Sequence, residues 1–278
     1  MSGLSALAPG YDAVLSDVWG VLHNGVAAWP GTADALVRYR RGGGRVVLIT
    51  NAPRAAAPIA AMLDRMGVPR DAYDGIVSSG DVTRDMIAPY RGRVIHHIGP
   101  ATDDDSLYEG LGVIRGPVEE AEAVVVTDLD SDDDTPQTYN DRIAVWLRRR
   151  LPMICANPDR VVEHGGRIIY CGGALADLYE ARGGQILMAG KPYRPIYDEA
   201  LRLAEGAAGR PLDRRRILAI GDSVRTDAIG AANAGVDLYF ITGSIHAGDL
   251  EGATDTAVHA LVAPSGARLV GFAPRLAW

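Results

Sequence analysis

Residues 11–22 read Tyr-Asp-Ala-Val-Leu-Ser-Asp-Val-Trp-Gly-Val-Leu, an apolar run that stops abruptly at Asp17 and can turn sharply at Gly20. Three other runs share that form. Arg45 to Ile49 ends at Thr50, Arg216 to Ile220 ends at Gly221 and Asp222, and Val236 to Ile241 ends at Thr242 and Gly243. None of them alternates apolar with polar residues, which is the pattern of parallel strands covered on both faces. Helix-like segments separate them: Gly31 to Arg41, Ala55 to Met66, Pro195 to Glu205 and Thr226 to Ala234. The alternation predicts an α/β fold with a doubly wound parallel sheet. Ligands of such sheets sit beyond the carboxyl ends of the strands, and three of the runs deliver Asp17, Thr50 and Asp222 to that edge.

The middle of the chain reads as a second α/β unit. Arg93 to Ile98, Ala123 to Thr127, Pro152 to Cys155 and Arg167 to Tyr170 have strand character, and Tyr139 to Arg150 that of a helix. The expected division is a catalytic core of residues 1–86 and 187–278 with an inserted cap domain at 87–186, which would act as a mobile lid. The run Arg41-Gly42-Gly43-Gly44-Arg45 reads as a helix stop and turn, because no phosphate-loop pattern accompanies it.

Composition excludes several classes. A chain of 278 residues that is 47% hydrophobic and 23% charged is an ordinary globular protein, without a disorder signature. Its formal net charge is −7 and its largest basic cluster is Arg148-Arg149-Arg150, so nucleic acid and membrane surfaces are not expected partners. The N-terminus lacks a basic start followed by a long apolar run, and no apolar stretch reaches the ~18 residues of a membrane span. A cytoplasmic location is the expectation. Cys155 and Cys171 do not make a disulfide-dense chain and read as inert buried thiols.

The polar strand ends form a constellation with four parts. Asp17 offers a carboxylate nucleophile, Thr50 and Asn51 a hydroxyl and an amide, Lys191 a cation, and Asp222 and Asp227 further carboxylates. Phosphoryl transfer calls for such a set, since positioning and charge neutralisation supply most of its catalysis. Mg²⁺ favours one or two carboxylates together with phosphate oxygens and water, and Asp17 with Asp222 meets that need.

Asp17-Val18-Trp19-Gly20-Val21-Leu22, Ile49-Thr50-Asn51, Gly190-Lys191-Pro192 and Gly221-Asp222-Ser223 with Asp227 resemble the four ordered motifs of the haloacid dehalogenase (HAD) superfamily. Asn157-Pro158-Asp159 resembles the substrate-side loop of the subgroup with a large α/β cap, class IIA, which includes p-nitrophenyl phosphatases. The resemblance implies a HAD-like core in which Asp17 forms an aspartyl-phosphate, Thr50 hydrogen-bonds the phosphoryl group, and Lys191 neutralises both. It implies Mg²⁺ held by Asp17, Asp222 and the main-chain carbonyl of Trp19, with Asp227 beside them. It also implies substrate contacts from Asn51 and Asn157, a loop at Asn157 facing the core site, and a homodimer paired through the cap.

Trp19 departs from that pattern. Phosphatases of the family place a second aspartate there to protonate the leaving group and then activate water. The indole N–H is a donor only, so general acid–base catalysis, worth about 10²–10⁴ in rate, is lost unless another residue such as His23 supplies it. His23 by itself reads as a turn residue, His96-His97 as structural, and the acidic runs Asp103-Asp104-Asp105 and Asp132-Asp133-Asp134 as solvated loops. The leading expectation is a Mg²⁺-dependent phosphatase of a small phosphorylated metabolite. A phosphotransferase stalled at the phosphoenzyme and a non-catalytic phosphate-metabolite binder are the alternatives.

Overall fold

Each of the apolar runs forms a strand in the computed structural model, which describes residues 3–100, 104–164, 167–248, 250 and 254–278. In chain order the strands are β1 (Ala13–Asp17), β2 (Arg45–Thr50), β3 (Gly75–Ser78), β4 (Val94–Ile98), β5 (Ile114–Arg115), β6 (Ala123–Val126), β7 (Met153–Cys155), β8 (Val161–His164), β9 (Arg167–Tyr170), β10 (Ile186–Met188), β11 (Ile217–Gly221), β12 (Asp237–Ile241) and β13 (Arg268–Ala273). They build two larger sheets and one hairpin, and the chain divides into two compact units.

The first unit comprises Met1–Thr50, Ala57–Val77 and Lys191–Trp278. Its six-stranded sheet has the order β13-β12-β11-β1-β2-β3. β1 runs parallel to both neighbours, and its Ser16 lies opposite Leu48 of β2 and Ile220 of β11. β12 and β13 continue the parallel pairing outward from β11. Every residue of β1, β11 and β12 is buried, as the unalternated runs predict. Chain order reverses between β1 and β11, so a crevice opens between their carboxyl ends. Asp17 closes β1, Thr50 closes β2, and Asp222 follows β11 directly.

Helices cover this sheet through their apolar stripes. In Arg194–Ala208 the buried residues are Ile196, Tyr197, Ala200, Leu201 and Ala204, a helical spacing that packs one face on β2. Pro30 opens the helix Pro30–Arg41 at a position where a missing N–H costs nothing.

The second unit comprises Asn51–Ala56 and Ser78–Gly190. Its five-stranded sheet, ordered β10-β7-β6-β4-β5, is parallel throughout, and β8 and β9 form a separate antiparallel hairpin. Successive side chains of β6 point to opposite faces. Val124 and Val126 join Trp146, Leu175 and Tyr179 in one core, while Ala123 and Val125 join Ile87, Leu107 and Tyr108 in the other. The division falls at Ser78 and Gly190, where the sequence suggested 87 and 186. The helix Ser79–Ile87, started by a capping box between Ser78 and Asp81, buries Ile87 in the inserted unit's own core, and β10 pairs with β7.

One acidic run differs from its expected solvated state. Asp103 lies outside the described residues, but Asp104 is buried, accepts a hydrogen bond from Thr127 Oγ1 at 2.5 Å, and lies 3.3 Å from His97 Nε2. It immediately precedes the short helix Asp105–Tyr108, whose Tyr108 hydroxyl is 2.6 Å from His97 Nδ1. Both cysteines are buried free thiols, and burial pushes the Cys155 thiol up to about 12.

Candidate active site

Beyond β1 the chain has to turn within the crevice. The Gly20 N–H donates to the His23 carbonyl at 2.7 Å and the Leu22 N–H to the Val18 carbonyl at 2.8 Å, which closes a compact loop. Gly20 has φ +84°, and a Cβ there would run into Asp222 Oδ2 and Ser244 Oγ. Only glycine permits both that backbone conformation and so close an approach of the loop after Asp17 to Asp222.

The opposite wall comes from β11. After it, Val224–Ala228 forms a π-helical turn before the regular helix Ile229–Ala234, where the sequence suggested one helix from Thr226. Such turns are often found at functional sites. This one carries Asp227, whose Oδ2 accepts from the Asp222 N–H at 3.2 Å and the Ser223 N–H at 3.1 Å. A Cβ at Gly221 would overlap the Asp227 side chain, so the carboxylate folds back over a bare backbone.

Lys191 joins the two walls. Its buried Nζ donates to Asp17 Oδ1 and to Asp227 Oδ1, each at 2.6 Å. Carboxylate oxygens of Asp17, Asp222 and Asp227 lie within 4.8 Å of one another, and all three residues are buried. Burial drives the Asp17 carboxyl well above the usual range; the Lys191 charge opposes this, and Asp227 and Asp222 add to the rise. Burial and the nearby Asp227 charge push Asp222 up to about 6, against hydrogen bonds from the Ser244 hydroxyl and the Ile245 N–H. Burial also works against the Lys191 charge, but Asp17 and Asp227 outweigh it and hold the ammonium well above its ordinary range. Three carboxylates therefore face one ammonium, and ionisation of all of them leaves an excess of negative charge in a buried space. An all-oxygen donor set with that excess suits a hard divalent cation.

Trp19 is not an interior packing residue, being 44% exposed. Its ring lies against Gly25 and edge-on to His23, with centroids 5.3 Å apart. His23 Nδ1 accepts the Gly25 N–H at 2.9 Å, and its Nε2 is buried with no hydrogen-bond partner among the described residues. Burial lowers the His23 pKa, and the nitrogen that accepts from Gly25 is already engaged. His23 braces the turn instead of offering an accessible base.

The structure brings together four of the residues singled out in the sequence: Asp17, Lys191, Asp222 and Asp227. Thr50 is buried at the end of the neighbouring strand, one residue past the Asp17–Ile49 register pair. Asn51 and Asn157 belong to the second unit, where Asp159 links them. Asn51 Nδ2 donates to Asp159 Oδ1 at 3.0 Å, and the Asp159 N–H donates to Asn157 Oδ1 at 3.2 Å. Asn157 Nδ2 in turn reaches Asp128 Oδ2 at 3.4 Å, and burial pushes the Asp128 carboxyl up to about 7. Asp128 and Ser244 were absent from the sequence reading. Asp128 follows an apolar strand as Asp17 does, so the same signal was available for it. Ser244 adjoins the noted Thr242-Gly243 pair but carries no motif of its own.

Comparison with known proteins identifies the family. Residues 14–113 match the haloacid dehalogenase-like hydrolase family, and residues 188–265 match a HAD-hydrolase-like family. No curated protein matches the chain. A solved haloacid dehalogenase-like hydrolase from Brucella suis is 43% identical, covers 99% of both chains and superposes with a TM-score of 0.88. The p-nitrophenyl phosphatase from Archaeoglobus fulgidus is 19% identical over 95% of this chain and 96% of its own, with a TM-score of 0.72. A glycerol phosphate phosphatase from Mycobacterium tuberculosis, solved in complex with magnesium, is 22% identical over 98% of this chain and 76% of its own, with a TM-score of 0.70. The last two likenesses bear on fold alone.

Proposed function

This chain belongs to the haloacid dehalogenase-like hydrolase family, with an inserted α/β cap of the class IIA kind, and from that premise we propose that it is a Mg²⁺-dependent phosphatase of a small phosphorylated metabolite. The observation that carries the proposal is Lys191, whose ammonium joins Asp17 to Asp227 beside Asp222 at the end of β11. Mg²⁺ at Asp17 and Asp222, with the Trp19 carbonyl, would neutralise phosphoryl oxygens and align the phosphorus with the nucleophile. Asp227 has Lys191 on one oxygen and two backbone N–H groups on the other, which suits a positioning role more than direct ligation.

In this reading an Asp17 oxygen attacks phosphorus, the bond to the leaving oxygen breaks, and an aspartyl-phosphate forms. Lys191 holds the carboxylate in the attacking orientation and remains protonated throughout. The Thr50 hydroxyl donates to a phosphoryl oxygen. Substrate contacts by Asn51 and Asn157 are part of the proposal on the strength of the sequence resemblance. Turnover of p-nitrophenyl phosphate tests the reading: it should require Mg²⁺ and disappear on chelation and in Asp17→Asn and Asp222→Ala. Undiminished turnover in any of these would overturn it.

A second reading has support from Trp19 and His23. Neither supplies a reachable proton acceptor, so breakdown of the phosphoenzyme by water lacks a base, and transfer to an acceptor that arrives already deprotonated becomes competitive. A phosphorylated Asp17 that persists after one turnover, seen by mass spectrometry of the intact chain, favours this reading over efficient hydrolysis.

A further inference from the structure

We propose that Ser244, together with the main-chain N–H of Ile245, is a positioning pair that presents the Asp222 carboxylate to the divalent cation, a role that rests on the metal reading above. Ser244 Oγ and Asp222 Oδ2 crowd the same point above Gly20, and Ser244 and the Ile245 N–H both favour the charged Asp222 carboxylate. The hydroxyl and the carboxylate thus share the narrow space over the turn that follows Asp17. A carboxylate gripped by two donors while pressed against a bare glycine backbone cannot rotate freely.

The loop that bears Ser244 is itself fixed. The Thr242 N–H donates to the Ala273 carbonyl at 2.9 Å and the Gly243 N–H to the Pro274 carbonyl at 3.2 Å. The Arg275 guanidinium donates to the Gly243 carbonyl and lies 4.1 Å from the centre of the Trp29 ring. Residues 273–275 thus brace Thr242 and Gly243, and Ser244 follows on a supported backbone. Groups that orient a metal ligand in this way characteristically govern metal affinity as strongly as some ligands do.

The test is calorimetric titration of the intact chain with Mg²⁺, in wild type, Ser244→Ala and Ser244→Thr, with folding checked by thermal unfolding in chelator. Ser244→Ala should raise the Mg²⁺ Kd by about 10- to 100-fold. Saturating Mg²⁺ should restore most of its kcat, and Ser244→Thr, which keeps the hydroxyl, should regain wild-type affinity within about threefold. Should the alanine variant fail to fold, Ser244→Cys keeps the volume with a poor donor and is read against the same expectation. A wild-type chain that binds no Mg²⁺ overturns the metal reading and this proposal together. Wild-type binding with an unchanged Kd in Ser244→Ala, or with equal losses in the alanine and threonine variants, overturns the role of Ser244 alone.

Discussion

Replacing Lys191 by methionine should destabilise the protein in a way that depends on pH and metal. Lys191 Nζ contacts Asp17 and Asp227 at 2.6 Å each, and all three side chains are buried. Methionine preserves most of the volume but leaves two buried carboxylates facing each other without their cation. Removing one partner of a buried pair typically costs about 3–5 kcal/mol, or roughly 6–20 °C in melting temperature at 2–4 °C per kcal/mol. Asp17 already has a raised carboxyl range because of burial, and loss of Lys191 raises it further. A carboxyl whose folded pKa exceeds its unfolded value contributes stability that is present at low pH and lost as pH rises through the folded value. The deficit of Lys191→Met should therefore be smaller at pH 5 than at pH 8, and Mg²⁺ should reduce it by supplying positive charge. Differential scanning fluorimetry at both pH values, with chelator and with excess Mg²⁺, provides the measurement. A shift below about 2 °C, or a deficit that grows on acidification, would refute the reasoning.

Asp222, pushed up to about 6, gives the metal site its own pH dependence. Because Asp222 and the likewise raised Asp17 must both lose their protons to bind, the Mg²⁺ Kd should rise at least about tenfold per unit on acidification below pH 6; a flat titration from pH 5 to 8 would contradict this. By the same linkage, the Asp222 contribution to stability of the metal-free chain should fall as pH rises from about 4 through 6, which urea midpoints in chelator would reveal. Stopped-flow kinetics should show a burst on p-nitrophenyl phosphate followed by slow turnover, and Trp19→Asp should accelerate alkyl phosphates by about 10²–10⁴; no gain would show that the proton comes from elsewhere. Gly20→Ala should fold less stably and bind Mg²⁺ more weakly, because its methyl group occupies the space of Asp222 Oδ2; calorimetry of the purified variant checks this.

Much of the core fold was legible because unalternated strands leave a plain trace. A run such as Arg216 to Ile220 is apolar on both faces, and its abrupt polar end marks the crevice. The four residues that meet at the site were visible for the same reason, since each stands at or near a strand end. Other features depend on distant parts of the chain. Asp104 sits in an acidic run that looks solvated, and only the position of Thr127 and His97 shows that it turns inward. The contact of Ser244 with Asp222 requires the order of β11 and β12, which no local pattern encodes. His23 could be recognised as a turn residue, but not the engagement of Nδ1 by Gly25 or the burial of Nε2. The start of the inserted unit was displaced because helix Ser79–Ile87 carries the same apolar spacing whichever sheet it covers.

The sheet order also sets a timetable for synthesis. β1 ends at Asp17, but its neighbour β11 begins only at Ile217, some 200 residues later. At about 5–20 residues per second, a ribosome takes roughly 10–40 s to cover that distance. All strands of the five-stranded sheet, Val94 to Met188, emerge within the interval and can pair with one another first. Until then β1 waits with the edge that β11 will take unpaired, since β2 pairs with the opposite edge, and an open edge is an aggregation hazard. Asp17 is thus made well before Lys191, Asp222 and Asp227, the residues that complete its surroundings.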